Sequence, residues 1–556
     1  MGEENKVSPR NRIRVLVGDQ VEWVPAGTTL MDLSRRWQPE HASTIAAAMV
    51  NGELRELTWA LTTDAQIRFL DLSTDDGQRI YIRSLSFLLV RAAKDILPDS
   101  QISIEHSLGN GLYVELRGSH LLTEEDVPVL EERMRQLAQA DLPFKKGQLP
   151  LNRAQEIFRR QGQLDKAELL NYRKKGYLNL YELDGLYDYF FGYMVPSTGF
   201  LDKFALHFYL PGMILLFPNR YQPEVLPPYQ DQPKLAGIFR EAERWGDILQ
   251  VGDVASLNGL VTSGQGPELV QIAEALHEKK IAEIADEITA RHDDVRVVFI
   301  AGPSSSGKTT FCQRLYIQLR VNGLSPVTIS LDDYFVDREE TPLDESGQYD
   351  FEALEALDLK LFNQQLVKLI QGIEVEVPVF DFKQGCRTWV GRRLKVEPGQ
   401  PILIEGIHGL NPKLTPAIPK EKQFRIYISA LTQLNIDRHN RIPTTDTRLL
   451  RRIVRDSKYR SASPEDTILR WASVRRGEER NIFPYQEEAD VMFNSALVYE
   501  LGAIKRQAEA VLAQIPLHSP AYPRAKMLTK FLAYFCPLDD LKHIPRNSIL
   551  REFIGC

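Results

Sequence analysis

The stretch Val297-Val298-Phe299-Ile300-Ala301-Gly302-Pro303-Ser304-Ser305-Ser306-Gly307-Lys308-Thr309-Thr310 decides how the larger part of this chain folds. Its first five residues are apolar and rich in β-branched side chains, which reads as a buried strand. They run without a break into G-x-x-x-x-G-K-T, and Phe311-Cys312-Gln313-Arg314-Leu315-Tyr316 opens a helical pattern. Strand, glycine loop and helix in that order form the setting that a phosphate-binding loop needs. Gly302 and Gly307 let the backbone curl until successive N–H groups converge on phosphate oxygens, and the helix N-terminus adds partial positive charge. In such a loop the lysine, here Lys308, reaches the outer phosphates, and the following hydroxyl, here Thr309, holds Mg²⁺. The candidate phosphate-binding set is Gly302, Ser304, Ser305, Ser306, Gly307, Lys308, Thr309 and Thr310. The alternative is an ordinary glycine turn before a helix; the strand on one side and the helix on the other favour the phosphate loop.

With 556 residues the chain is too long for one core, and two to four domains are expected. A composition of 43% hydrophobic and 26% charged residues is that of folded globular domains rather than disorder. The net charge of −7 gives no global attraction to nucleic acid. Cys312, Cys386, Cys536 and Cys556 are scattered, so neither a disulfide framework nor a zinc site is expected. A reducing, cytoplasmic compartment suits that usage. The polar start of the chain is followed by no secretory apolar region. The apolar burst Met213-Ile214-Leu215-Leu216-Phe217 is far too short to span a bilayer, so no membrane partner is expected.

Outward from the glycine loop, strands alternate with helices from about 294 to 515, the pattern of a parallel α/β sheet with helices on both faces. Residues 236–293 follow helical spacing, and 516–556 read as one or two short helices. Ahead of them, Ile13–Val17 and Val21–Val24 flank Gly18-Asp19, a hairpin signal. Thr28-Thr29 caps a helix, Asn51-Gly52 marks a turn, and Ile67–Leu70 reads as a strand. Over 10–73 this order fits a β-grasp module and resembles the TGS domain of threonyl-tRNA synthetases. Residues 78–235 resemble the second additional domain of those synthetases, an α+β domain that hydrolyses mischarged tRNA. The resemblance rests on a helix from Ile82-Arg83, the turn and strand Gly109–Glu115, a helix after Leu122-Thr123 with Thr123 as N-cap, and Val195-Pro196-Ser197-Thr198-Gly199. The family's two editing histidines fall here on Ser84 and Leu88, and its later cysteine and histidine on Phe190 and Met194. No His/Cys site can be rebuilt from those four, so the fold is expected without the editing chemistry. Tyr187, Tyr189, Phe190, Phe191 and Tyr193 are expected in core packing rather than in a base-stacking platform.

Two further strands end in acids. Val327-Thr328-Ile329-Ser330-Leu331 leads to Asp332-Asp333-Tyr334-Phe335, and Pro401-Ile402-Leu403-Ile404 to Glu405. Polar residues at the carboxyl ends of such strands face the nucleotide crevice. An acid there accepts the proton of an attacking hydroxyl or helps hold Mg²⁺, which makes Asp332 and Lys308 the catalytic candidates and Thr309, Glu405 and Asp332 the metal candidates. His408 is expected to be structural. Arg448, Arg451, Arg452 and Arg455 share one helical face. A solvated or RNA-binding basic face is one reading; a lid of bidentate phosphate contacts is the favoured one.

These motifs together resemble the uridine kinase/phosphoribulokinase family over roughly 295–515: G-P-S-S-S-G-K-T (302–309), L-D-D-Y-F (331–335), Y-D-F-E (349–352), P-V-F-D-F (378–382), I-E-G-I (404–407) and D-T-R-L-L-R-R-I-V-R-D (446–456). The resemblance implies that Asp332 activates the acceptor hydroxyl, that Asp350 and Arg448 hold ribose hydroxyls, and that Arg451, Arg452 and Arg455 meet phosphates. By the same resemblance Tyr349, Phe380, Phe382 and Arg387 belong to the acceptor site. Phe380 stands where the family usually has a tyrosine, and Gly385 where uridine kinases place the histidine that reads the pyrimidine. Losing that polar reader would cost discrimination. The expectation is an ATP- and Mg²⁺-dependent kinase acting on a nucleoside-like small molecule, most simply at its 5′-OH. The alternatives left open are a phosphosugar kinase, with Arg387 for the acceptor's own phosphate, and a nucleotide-gated RNA- or ribosome-associated regulator using the N-terminal modules. The acceptor and any homo-oligomeric state are left open by the sequence.

Overall fold

The computed structural model describes residues 12–118, 120–345, 347–432, 434–460 and 462–555; Cys556 lies outside them. The chain forms two compact units. One takes in the described residues up to Asp231 together with Asp253–Ala255 and Asn435–Arg441, and the other holds the rest.

The first unit opens with β1 (Arg12–Val17), β2 (Gln20–Pro25), α1 (Leu30–Trp37), β3 (Ile45–Val50), β4 (Glu53–Glu56) and β5 (Ala65–Asp71), in the sheet order β2-β1-β5-β3-β4. Gly18 turns the first hairpin at φ +58°. Thr29 and Asp32 close a capping box on α1. Ile13, Val15 and Val17 alternate inward onto Leu30 and Leu33, the β-grasp core. The long helix α2 (Asp75–Ile96), capped by Thr74, then packs over a four-stranded sheet of order β11-β12-β7-β6. That sheet uses β6 (Gln101–Leu108), β7 (Gly111–Arg117), β11 (Ala205–Tyr209) and β12 (Gly212–Leu216). Between them come α3 (Asp126–Gln139), β8 (Lys145–Pro150), α4 (Leu151–Arg160), α5 (Leu164–Leu169), β9 (Tyr177–Leu183) and β10 (Leu186–Asp188). One expectation needs correcting here. Thr123 does not cap α3, which starts three residues later; instead Asp126 turns back and accepts from the Thr123 N–H and hydroxyl, both at 2.8 Å. A side chain able to bond backward has moved the helix start.

The second unit begins with α6 (Pro233–Leu249), most of α7 (Val254–Thr262) and α8 (Gly266–Ala290). Its sheet follows: β13 (Val297–Ala301), α9 (Lys308–Val321), β14 (Val327–Ser330), α10 (Leu359–Ile370), β15 (Val375–Glu376), β16 (Val379–Asp381), β17 (Cys386–Thr388), β18 (Arg393–Leu394), β19 (Ile402–Glu405), β20 (Gln423–Ser429), α11 (Thr444–Tyr459), α12 (Pro464–Asn481) and β21 (Val491–Asn494). The chain ends in α13 (Glu500–Leu512), α14 (Tyr522–Leu532) and the short α15 (Arg551–Ile554). The main sheet has the order β14-β19-β13-β20-β21 with every pairing parallel. All of β13 is buried, as a central parallel strand covered on both faces must be. The carboxyl ends of β13, β14 and β19 therefore lie side by side, and the loops that leave them share one crevice. No helix among the described residues is long and apolar enough to cross a membrane.

Candidate functional site

The glycine loop leaves the end of β13. Only glycine fits at 302, because a Cβ there would stand 1.9 Å from the Ile428 carbonyl oxygen. Ser305 at φ +60° and Gly307 at φ +85° bend the backbone into a concave run of N–H groups. Ser305 and Ser306 are buried, and neither hydroxyl oxygen has a hydrogen-bond partner. Buried polar groups are normally paired, and these two are exceptions inside the loop. The Lys308 ammonium donates back to the carbonyls of Gly302 (3.0 Å) and Pro303 (3.2 Å). Burial pulls its pKa below the ordinary amine value, against the opposing charges of Glu405, Asp332 and Glu552.

In the parallel register Ser330 stands opposite Glu405. The Ser330 hydroxyl donates to Glu405 Oε1 at 3.2 Å and the Thr309 hydroxyl to the same oxygen at 3.4 Å. Burial, and then the charge of Asp332, push the Glu405 carboxyl up to about 7, with Lys308 working the other way. Two acids crowded beside a hydroxyl and a phosphate cradle are what a hard divalent cation relieves. Among the described residues no group of three or more His, Cys, Asp or Glu could hold a metal alone. Mg²⁺ commonly takes one or two carboxylates and completes its shell with phosphate oxygens and water.

Asp332 sits in a tight turn, Leu331–Tyr334, directly after β14. Its neighbour Asp333 accepts from the Phe380 N–H at 3.4 Å and meets Arg392 at 3.5 Å, which holds β16 beside the turn. Phe335, Phe380 and Phe382 pack in series, the first pair tilted and the second edge-on, with ring centres 5.7 and 5.1 Å apart, and Arg460 lies over the Phe382 ring at 5.9 Å. Tyr349 and Phe351 form another ring pair at 6.0 Å. Asp350 holds its own turn: its carboxylate accepts from the Glu352 N–H at 3.1 Å. Arg387 is drawn off to Asp358, the N-cap of α10, at 2.8 Å. Gly385, at φ +73°, has the Arg338 guanidinium against it, 2.7 Å from where a Cβ would be. Arg338 also donates to the Phe382 carbonyl at 3.0 Å.

Arg448, Arg451 and Arg452 of α11 reach the glycine loop. Arg448 is 1% exposed, donates to the Ser304 carbonyl at 2.9 Å and pairs with buried Glu478. Arg451 is fully buried on Glu500 and the Ser495 carbonyl. Arg452 reaches the Ser304 hydroxyl at 2.9 Å, and Arg455 bonds Asp456 at 2.8 Å. A solvated basic face is thereby excluded, and Arg448 and Arg451 are packed as parts of a core network. Three contributors escape a reading of local motifs: Glu478, whose carboxylate accepts from the Ser304 N–H at 3.0 Å; Arg338; and Glu552, whose carboxylate accepts from the Thr310 hydroxyl at 2.9 Å. All three lie far along the chain from what they touch, and no spacing signals them.

In the first unit the four positions that the sequence resemblance matches to editing residues are apolar or internally satisfied. The Ser84 hydroxyl donates to the Ile80 carbonyl at 2.8 Å and accepts from the Val195 N–H at 3.0 Å. Leu88, Phe190 and Met194 are buried in one cluster, with Phe87 and Phe190 rings 5.1 Å apart. Nearby, Lys166 pairs with Asp188 and, at 3.5 Å, with Asp437, while His439 Nδ1 lies 2.6 Å from Asp188.

A parallel sheet, a glycine loop at the end of its central strand and acids at the ends of its neighbours are the architecture of a P-loop nucleotide-binding fold. Residues 297–500 match the Phosphoribulokinase / Uridine kinase family, and this part of the chain is a small-molecule kinase domain of that family. The N-terminal region matches threonine–tRNA ligases of Francisella tularensis, subsp. holarctica strain OSU18 and subsp. novicida strain U112 among them. Each is 26% identical over 181 residues, which is 33% of this chain and 28% of the ligase. This chain thus spans little more than a quarter of those relatives' length. Among solved structures, a protein described as a possible uridine kinase from Bacillus stearothermophilus is 19% identical, covering 37% of this chain and 99% of that one at a TM-score of 0.25. D-glycerate 3-kinase from Cryptococcus neoformans is 15% identical, covering 50% of this chain and 87% of that one at a TM-score of 0.22.

Proposed function

We propose that the kinase domain transfers the terminal phosphoryl group of ATP to the 5′-OH of a nucleoside. The observation that carries the reading is the loop's backbone, with Gly302 against the Ile428 carbonyl and Ser305 and Gly307 at positive φ, set beside Lys308, Glu405 and Asp332. Thr309, Glu405 and Asp332 would hold Mg²⁺, which when bound neutralises charge on the phosphates. Lys308 swings from its loop carbonyls to the outer phosphates. Asp332 takes the hydroxyl proton while the acceptor oxygen forms the new P–O bond and the bond to ADP breaks. The phenylalanines at 335, 380 and 382, packed tilted and edge-on, offer an apolar border against which a base could lie. The test is labelled ATP with purified protein against uridine, cytidine, adenosine and guanosine. Phosphorylation of at least one supports the reading; ATP binding without transfer to any of them defeats it.

A phosphosugar acceptor is the second reading. Its candidate Arg387 pairs with Asp358, and Arg338, which donates to the Phe382 carbonyl, is a second cation that could meet the acceptor's phosphate. Transfer to ribulose 5-phosphate that is lost in Arg338→Ala, with no nucleoside turnover, would put this reading first. A separate reading concerns RNA. On the outer face of the β-grasp sheet, Arg14 stands opposite Trp23, which is 55% exposed, and Arg68 lies exposed on the same face. Cations beside an exposed ring suit phosphate contact and base stacking. A tRNA gel shift that weakens steeply with salt supports it, and a shift without salt dependence counts against it.

A further inference from the structure

The C-terminal segment lies on the glycine loop. Ser548, Ile549, Leu550 and Phe553 are fully buried. Ile549 Cγ2 stands 2.4 Å from where a Cβ on Gly307 would be, so the tail is in contact with the turn that starts α9. Arg451 stacks over the Phe553 ring at 4.9 Å, and the Lys458 ammonium donates to the Ile554 carbonyl at 2.6 Å. Arg551 donates to the carbonyls of Leu541 (2.7 Å) and Ile544 (2.8 Å), which fixes the short α15 in place. The result of this anchoring is one carboxylate. Glu552 Oε2 accepts from the Thr310 hydroxyl at 2.9 Å and lies 3.4 Å from the Thr310 N–H.

Those two donors belong to the first turn of the P-loop helix, where unpaired N–H groups and the helix dipole favour an anion. In a phosphate loop that anion is a phosphate of the nucleotide. A carboxylate carries the same sign, accepts the same hydrogen bonds and cannot share the position. Tethered in the same chain, it competes at an effective concentration on the order of millimolar or higher. Lys308, meanwhile, is folded back on the carbonyls of Gly302 and Pro303.

We propose that Glu552 is an intramolecular stand-in for a nucleotide phosphate, and that the segment 548–555 must withdraw from the loop before the donor binds in full. The inference rests on the nucleotide-binding reading above and adds a gate to it. What opens the gate is a competing anion with more charge and more acceptor oxygens, namely the triphosphate itself. The tail thereby couples nucleotide binding to the packing of Ile549 and Phe553.

The test uses the full chain and MgATP titrated calorimetrically into the wild type, Glu552→Gln and Glu552→Asp. Glu552→Gln keeps the shape and removes the charge. It is expected to bind MgATP about tenfold more tightly, since the competent state no longer has to displace an anion, while Glu552→Asp stays nearer the wild type. Equal affinity in wild type and Glu552→Gln overturns the gate and leaves nucleotide binding standing. No binding by either protein overturns the nucleotide reading and the gate with it. Hydrogen exchange gives an independent readout. MgATP is expected to raise amide exchange over 548–555 in the wild type, and unchanged or increased protection there would overturn withdrawal.

Discussion

Two buried clusters, one in each unit, hold charge in opposite ways. In the first, Lys166, Asp188, Asp437 and His439 form a closed set in which each group faces an opposite or hydrogen-bonding partner. The charges of Lys166 and then His439 hold Asp188 below the usual carboxylate range in spite of burial, and Asp188 and Asp437 hold Lys166 above the usual amine value. In the second, Glu405 and Glu352 are both pushed up to about 7, chiefly by burial and then by nearby acids, and two serine hydroxyls have no partner. A buried charge that is satisfied by its own chain is scaffolding. One that is left wanting is where a ligand's charge belongs. The places of the synthetase editing residues fall on the scaffolding side: Ser84 is satisfied, and Leu88, Phe190 and Met194 are core.

Three substitutions break or sharpen that contrast. The largest effect is expected at the unsatisfied cluster. Asp332→Asn should lower turnover by about 10²–10⁴-fold with MgATP affinity roughly kept, because a lost base is felt in proton transfer rather than in nucleotide binding. Steady-state rates with the identified acceptor, beside ATP titrations, check it; an unchanged rate removes Asp332 from its role. The next effect belongs to the satisfied cluster. Lys166→Ala leaves Asp188 and Asp437 buried without their cation, and should destabilise the first unit by about 3–5 kcal/mol in urea unfolding. A loss below about 1 kcal/mol would mean that the set is not scaffolding.

The smallest effect is a pH dependence. Glu352 has a raised carboxyl in the folded chain, from 4.5 to about 7. The folded state therefore holds the proton more tightly than the unfolded one. The stabilisation this gives is present below about 4.5 and is lost as pH rises through about 7. Glu352→Gln should leave the melting temperature near the wild-type value at pH 5 and raise it at pH 8. A lower melting temperature at pH 8 would show that the Glu352 charge is compensated.

Much of the second unit was legible in the sequence, because a buried strand, a glycine loop and a helix are local patterns with local causes. β13, the loop at 302–309 and the start of α9 follow from about twenty consecutive residues. The acids at the ends of β14 and β19 were legible for the same reason. The site's remaining wall was not. Glu478 reaches Ser304, and Glu552 reaches Thr310, across separations of 174 and 242 residues. Arg387 reads as a cation available to a substrate until Asp358 is seen beside it. Periodicity places Arg448, Arg451, Arg452 and Arg455 on one face, but it does not say that Glu478 and Glu500 have claimed two of them. In the first unit the resemblance puts Ser84, Leu88, Phe190 and Met194 at the editing positions, and their chemistry was legible residue by residue. The closed Lys166 set was not, since Asp437 and His439 come from a loop after β20, well over two hundred residues downstream.

The most direct measurement is calorimetric titration of MgATP into the full chain and into Lys308→Ala. Saturable one-site heat in the wild type that vanishes in the variant is expected if the loop at 302–310 is a phosphate cradle. No heat in the wild type, or equal heat in both proteins, would contradict it.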